Sequence, residues 1–371
     1  MTDFAPAAPG MLRGMTAPAP PVPGLFDALK RLYFATPLQA VVSLVSLAVI
    51  ATLGWKLLDW AIFSAVFDAG RGPQACQAAS GACWSVIAAR WRIIFFGLYP
   101  YEEQWRSALA CVVVVAMTVL SCIPAFWTGR RIAAVWGVGA TLFYVLMKGG
   151  VLGLPRVGEE AWGGLALTLF IFVATCLVGF PLAILLALLR RSDLPWISRT
   201  TGILIDAVRS LPLISILFVF AVVLPFALPQ WLKGDKLYRV ILGFALFFSA
   251  YQAEIVRGGM QGVPKGQEEA AMALGLGYWH RIGRILMPQA MRNALPATIN
   301  QFVISFKETS LVVIVGFFEI LASGNAAYGT GEWRFAYVEV YAFIALIYFA
   351  FVFSLSRYGA YLERRMAVGQ R

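Results

Sequence analysis

Charge is scarce in this sequence: Asp, Glu, Lys and Arg make up 13% of its 371 residues, against about 25% in ordinary soluble domains. Hydrophobic residues make up 60%, a balance that excludes the soluble globular class and directs attention to membrane spans. Histidine is nearly missing. His280 stands alone, with no Ser, Cys or carboxylate constellation around it, so catalysis by a nucleophile and base lacks its usual parts. No Gly-rich loop ending in Lys-Ser or Lys-Thr occurs, and Gly266 lacks that context, so no phosphate cradle is expected. No catalytic residue, metal site or cofactor of the chain's own is expected. Residues 1–24 are rich in Ala and Pro and lack an apolar core, which argues against a cleaved signal and for a disordered tail over 1–30.

What the sequence has is apolar length. Stretches 32–55, 107–129, 132–147, 161–189 and 210–232 carry no charge, and most reach the roughly 20 residues that cross a bilayer core. Stretches 240–253, 293–318 and 335–356 complete a set of eight, the first short and the second carrying two internal charges. The expected fold is all-α and polytopic. The net charge of +11 raises a nucleic-acid partner, but Lys and Arg are scattered between apolar runs, which excludes that class. They orient the chain instead. With both termini in the cytoplasm, most Lys and Arg fall on the cytoplasmic side, among them Arg130, Arg131, Arg190, Arg191, Arg364 and Arg365. Arg71, Arg90, Arg92 and Arg106 in the first external loop run against that rule, although long loops translocate largely regardless of charge.

The sequence divides into an accessory region of three spans, 31–155, and a five-span block, 160–365. The accessory part holds an external loop of about 58–105, where residues 84–98 read either as an amphipathic helix at the outer interface or as a packed lid. Cys111, Cys122 and Cys176 fall in spans and act as small apolar residues. Cys76 and Cys83 lie in the external loop, where a local disulfide and two free thiols are equally open.

The longest polar interruption of the second block, 254–294, carries the strongest pattern. Pro264 suits a first helical turn, Glu268 and Glu269 sit early where the helix dipole favours them, and Gly275 suits a left-handed cap. A second helix from about Trp279 is bounded by Pro288. Ala270, Ala271 and Ala273 give a smooth face on which another protein could close, so this is a docking element by its chemistry. The order Glu269-Ala270-Ala271, then Gly275, then Ile285-Leu286-Met287-Pro288 resembles the cytoplasmic coupling-loop signature of permeases in binding-protein-dependent ABC importers, with Met287 replacing the usual Leu. Ala253 to Gly259, Gly266-Gln267 and Lys307 to Leu311 resemble its polar amino acid uptake branch. Gly81 to Trp84, Phe96-Gly97, Tyr99-Pro100 and Gln104 to Arg106 resemble general L-amino acid permease subunits.

That resemblance implies a type I permease core of five helices, with Gly266, Glu268, Glu269, Ala270, Ala271 and Gly275 coupling it to an ATPase. It implies partners too: two ATPase subunits holding ATP and Mg, a second related permease, and a periplasmic amino-acid-binding protein, in a bacterial inner membrane. Independently, Lys307 and Glu308 interrupt span seven, where a charge costs at least roughly 2.5 kcal/mol on insertion scales, so they should face a partner or a wet cavity. With Thr309 and Ser310, they form a candidate zwitterion site in a locally broken helix, and Asn300 lies about two turns earlier. Gln252, Glu254 and Arg209 are weaker candidates. The competing function is a secondary transporter driven by an ion gradient, which should show paired halves and carboxylates inside several spans; only one span is interrupted.

Overall fold

Helix formation follows the apolar runs closely in the computed structural model, which describes residues 24–68, 70, 72–329 and 331–367. Seven helices are long and apolar enough to cross a membrane, and an eighth span results if one sharply bent pair is counted. The chain divides into two compact units, 1–65 and 66–371.

The first unit holds α1 (Leu25–Tyr33) and α2 (Pro37–Leu58). Thr36 caps α2 by accepting the Gln39 amide at 3.2 Å, and Pro37 occupies the first helical position, where its missing N–H costs nothing. The expected disordered tail is corrected in part: residues 25–30 belong to α1, and residues 1–23 lie outside the described residues.

The second unit contains α3 (Gly72–Ala78), α4 (Ser85–Phe96), α5 (Gln104–Cys122), α6 (Gly129–Lys148), α7 (Gly164–Arg190), α8 (Pro195–Ser210), α9 (Leu213–Phe218), α10 (Leu224–Ala227), α11 (Lys236–Gln261), α12 (Lys265–Ala273), α13 (Tyr278–His280), α14 (Met287–Glu308), α15 (Ile320–Gly329) and α16 (Tyr337–Ala367). At its centre α11 packs on α7 and α14, burying Val240, Phe244, Phe248 and Gln252. Phe248 and Ala245 lie against Gly179 of α7 so closely that an added methyl would stand 2.7 Å from the ring, the small-residue contact that lets helices approach in an apolar medium. The α5 and α6 helices lie in the same compact unit as α7 to α16.

Two expectations change in detail, and two others take a definite form. Pro212, Pro225 and Pro229 imply kinks in span five, 210–232, and the chain does bend at Pro212: α8 and the segment from Leu213 to Ala227 meet at 102°, because Pro212 cannot continue the helix and holds Leu211 extended. The short stretch 240–253 extends into a helix of 26 residues, since Arg257 folds back on Glu254 at 2.8 Å and the helix tolerates the pair. Pro288 does not bound a helix; a widened turn over Arg281–Leu286 absorbs the clash with the preceding carbonyls, and the helix runs on to Glu308. Of the two readings open for residues 84–98, the packing fits the lid, with Val86 and Ile94 wholly buried and α4 seated on α15.

The arginines that ran against the charge rule are partly explained. Arg106 is fully buried, donating to the carbonyls of Leu146 at 2.7 Å and Pro155 at 2.9 Å and pairing with Glu103 at 3.1 Å. Arg92 lies 3.8 Å over the Tyr101 ring. Beside them, Lys148 and Tyr238 both donate to Glu159 Oε1, at 2.6 and 2.8 Å, and so join the end of α6 to the start of α11. Burial opposes the Glu159 charge, but those two hydrogen bonds outweigh it and hold the carboxyl below its ordinary range. Its stabilising contribution is therefore complete above that range and fades as pH falls through the lowered value. Thermal unfolding in detergent should show the wild type losing its advantage over Glu159→Gln on acidification. An advantage that grows below the ordinary carboxylate range would contradict this.

Candidate functional site

At one end of the second unit the chain leaves α11, turns at 262–264 and enters α12. The helix is closed by a Schellman motif: Leu276 N–H donates to Ala271 O at 3.1 Å, and Gly275 N–H donates to Met272 O at 2.9 Å. Gly275 stands between them at φ 71°, a conformation glycine adopts without strain.

Two contacts fix the roll of α12. Ala271 is buried, with 1% exposure, beside buried Val263, Ile282 and Leu286. Glu268 turns toward its own domain, forming an ion pair with Arg191 at the end of α7 and approaching Arg281 at 3.5 Å. The opposite face is open: Glu269, Ala270 and Ala273 are exposed, with Leu274 at 78%, and on the next helix, α13, Trp279 is exposed at 74%. Of the residues expected to dock, Glu269 and Ala270 thus point outward, whereas Glu268 and Ala271 point inward. Gly266 is exposed, and a side chain there would meet open space, so its place demands no glycine.

Behind α12 the sequence hid a charge network. Glu254 accepts Arg190 at 3.0 Å and Arg257 at 2.8 Å, Arg209 stands 3.9 Å away, and Arg190 also pairs with Asp206 at 3.0 Å. It joins the ends of α7, α8 and α11. The sequence offered a charge-rule anchor at Arg190 and weaker candidates at Arg209 and Glu254 but no signal for Asp206.

The other candidate, in span seven, is less unified than its sequence. α14 ends at Glu308 and tightens into a 3₁₀ segment over Thr309–Val315. Thr309 is buried and donates to Phe306 O at 2.7 Å, while Ser310 donates to Lys307 O at 2.9 Å, so both hydroxyl donors are satisfied by their own helix. Lys307 and Asn300, seven positions apart, are both exposed and share one helix face; Glu308 is half-buried. Gln252 lies elsewhere, buried between α11 and α14, with its amide nitrogen donating to Thr298 Oγ1 at 2.8 Å and its carbonyl oxygen unpartnered.

Both candidates fall within residues 179–368, which match the family model described as "Binding-protein-dependent transport system inner membrane component". The chain is 41% identical to the inner membrane amino-acid ABC transporter permease protein YhdY of Escherichia coli (strain K12), with 85% of each chain covered. It is 36% identical to the glutamate/glutamine/aspartate/asparagine transport system permease protein BztC of Rhodobacter capsulatus, with 80% of each covered. Against the shorter glutamate/aspartate import permease protein GltK of Escherichia coli O157:H7 the identity is 32%, over 55% of this chain and 92% of that one.

Proposed function

This chain belongs to the binding-protein-dependent transport system inner membrane components, permease subunits of ABC importers, and on that premise we propose that it carries polar L-amino acids from periplasm to cytoplasm. The observation that carries the mechanism is the division of α12 into a face held by Arg191 and the domain and a face left open. An ATPase subunit closes on the open face, at Glu269, Ala270, Leu274 and Trp279. Its motion enters the span bundle through α11 and α14, which flank the loop, and through the Glu268 ion pair to α7. ATP and Mg reside on that partner, in two copies. A periplasmic amino-acid-binding protein delivers the substrate, and a second, related permease completes the pathway. Residues 160–365 form the permease core.

The substrate passes beside α14. Asn300 and Lys307, exposed on one face of the single chain, would line the pathway, with Glu308, Thr309 and Ser310 where α14 tightens into its 3₁₀ segment. Gln252 is a positioning residue, through Thr298 on α14. The bend between α8 and α9 gives the core a hinge for alternating access. An ion-gradient mechanism has no support from relatives that are named as ABC transporter permeases.

Both termini and α12 face the cytoplasm, and the 66–105 segment faces the periplasm. The bond between Cys76 and Cys83 in the structure supports that orientation, because disulfides persist in oxidising compartments. Alkylation before reduction should leave both cysteines unmodified in protein from native membranes; labelling of both without reductant would remove that support. The function itself is tested by purifying the chain from its native membrane in mild detergent and identifying its companions by mass spectrometry. An ATPase subunit and a second permease are expected. Recovery of this chain alone would count against the heteromeric importer.

A further inference from the structure

Where α7 ends, Arg190, Ser198, Arg199, Ile203, Asp206 and Arg257 line an open cleft of about 450 Å³ that has no part in the docking face. Its charge balance is positive. Arg190, Arg199 and Arg257 line it with one carboxylate, Asp206, and Glu254 beside it pairs with Arg190, Arg209 and Arg257. Arg190 directs both terminal nitrogens to Asp206, at 3.0 and 3.2 Å, and Arg257 folds onto Glu254. Arg199 is exposed at the rim and makes no ion pair among the described residues.

The helix carrying Arg199 has two unlike faces. Thr201, Gly202, Ile205 and Val208 are buried on α7 and α11, whereas Trp196, Arg199 and Ile203, spaced three and four apart, share the outward face. Trp196 and Ile203 are among the most exposed large apolar residues of the second unit, at 83% and 70%. An aromatic ring, a guanidinium and an aliphatic chain on one face, level with the ends of two spans, is the composition of a helix at a bilayer interface. Basic pockets between spans on the cytoplasmic side take anionic headgroups.

We propose that this cleft binds the phosphate of an anionic phospholipid of the inner leaflet. Arg199 and Arg257 face the phosphate oxygens, and Trp196 and Ile203 lie against the acyl chains. The proposal rests on the reading that the α12 end of the bundle faces the cytoplasm. Inorganic phosphate offers the same oxygens without the chains, so the two sources separate in one experiment.

The full transporter, purified in mild detergent, is examined by native mass spectrometry after titration with phosphatidylglycerol or phosphatidylcholine, with and without excess inorganic phosphate. Retained phosphatidylglycerol should fall roughly fivefold in Arg199→Ala, the contribution of about one interfacial cation, and further in Arg199→Glu. It should be unchanged in Arg130→Glu, an exposed cation outside the cleft. Equal retention of phosphatidylcholine, an equal loss in Arg130→Glu, or Arg199-dependent retention of inorganic phosphate but not of phosphatidylglycerol would each overturn the proposal. Because lipid retention is read without transport, a negative result leaves the importer assignment intact, and loss of that assignment leaves the lipid measurement readable.

Discussion

Glu269→Lys is expected to insert and fold normally, to abolish amino acid uptake, and to leave the partner's ATP hydrolysis no longer stimulated by the loaded binding protein. Glu269 is exposed on the open face of α12 and makes no ion pair among the described residues, so its loss costs the isolated chain little. At a docked face its reversal replaces an attraction by like-charge juxtaposition, which costs several kcal/mol, so uptake should drop by more than about tenfold. Gly275 provides the companion test. An added Cβ meets open space there, so Gly275→Ala carries only the left-handed backbone penalty of about 1–2 kcal/mol. Gly275→Asp adds a charge at the rim of the same face and should uncouple where Gly275→Ala merely weakens. Normal uptake in both Glu269→Lys and Gly275→Asp would remove the docking assignment.

Gly164→Ala is expected to prevent accumulation of a folded protein. Three chain segments cross here: Gly163 and Gly164 bridge in parallel to Phe318 and Glu319, and Gly97 approaches from the other side. Gly164 has φ 59°, and a methyl would stand 2.0 Å from Phe95 O, a backbone atom that cannot swing aside. Strain and displacement together should cost on the order of 3 kcal/mol or more. Gly137→Ala in α6, with open space around it and no positive φ, should be neutral or slightly stabilising. Size-exclusion profiles and thermal unfolding midpoints in detergent distinguish the two. A monodisperse Gly164→Ala with a wild-type midpoint would show that the crossing yields more readily than its distances allow.

The limits of α12 were legible because Pro264 and Gly275 are punctuation whose meaning is local: one suits a helix start, the other a left-handed end. The roll of the same helix was not. Adjacent Glu268 and Glu269 differ by about 100° around the axis, and which one turns inward depends on Arg191, far away in sequence. The apolar runs disclosed the spans, and Pro212, Pro225 and Pro229 disclosed that the fifth is kinked, but not the 102° of the bend, which packing decides. Charge patterning assigned Arg106 to the external loop, whereas three partners, in the turn before α5, on α6 and in the loop after it, surround the side chain. In span seven the sequence placed Lys307, Glu308, Thr309 and Ser310 in one group, and helical geometry distributes them over different faces. Long-range pairing is what the sequence conceals here.

The measurement that addresses the central claim most directly is amino acid uptake in cells whose ion gradients and ATP supply are controlled separately. Uptake should persist when ionophores collapse the gradients with ATP maintained, and stop when ATP is withdrawn with the gradients held. Uptake that follows the gradients and ignores ATP would contradict the assignment.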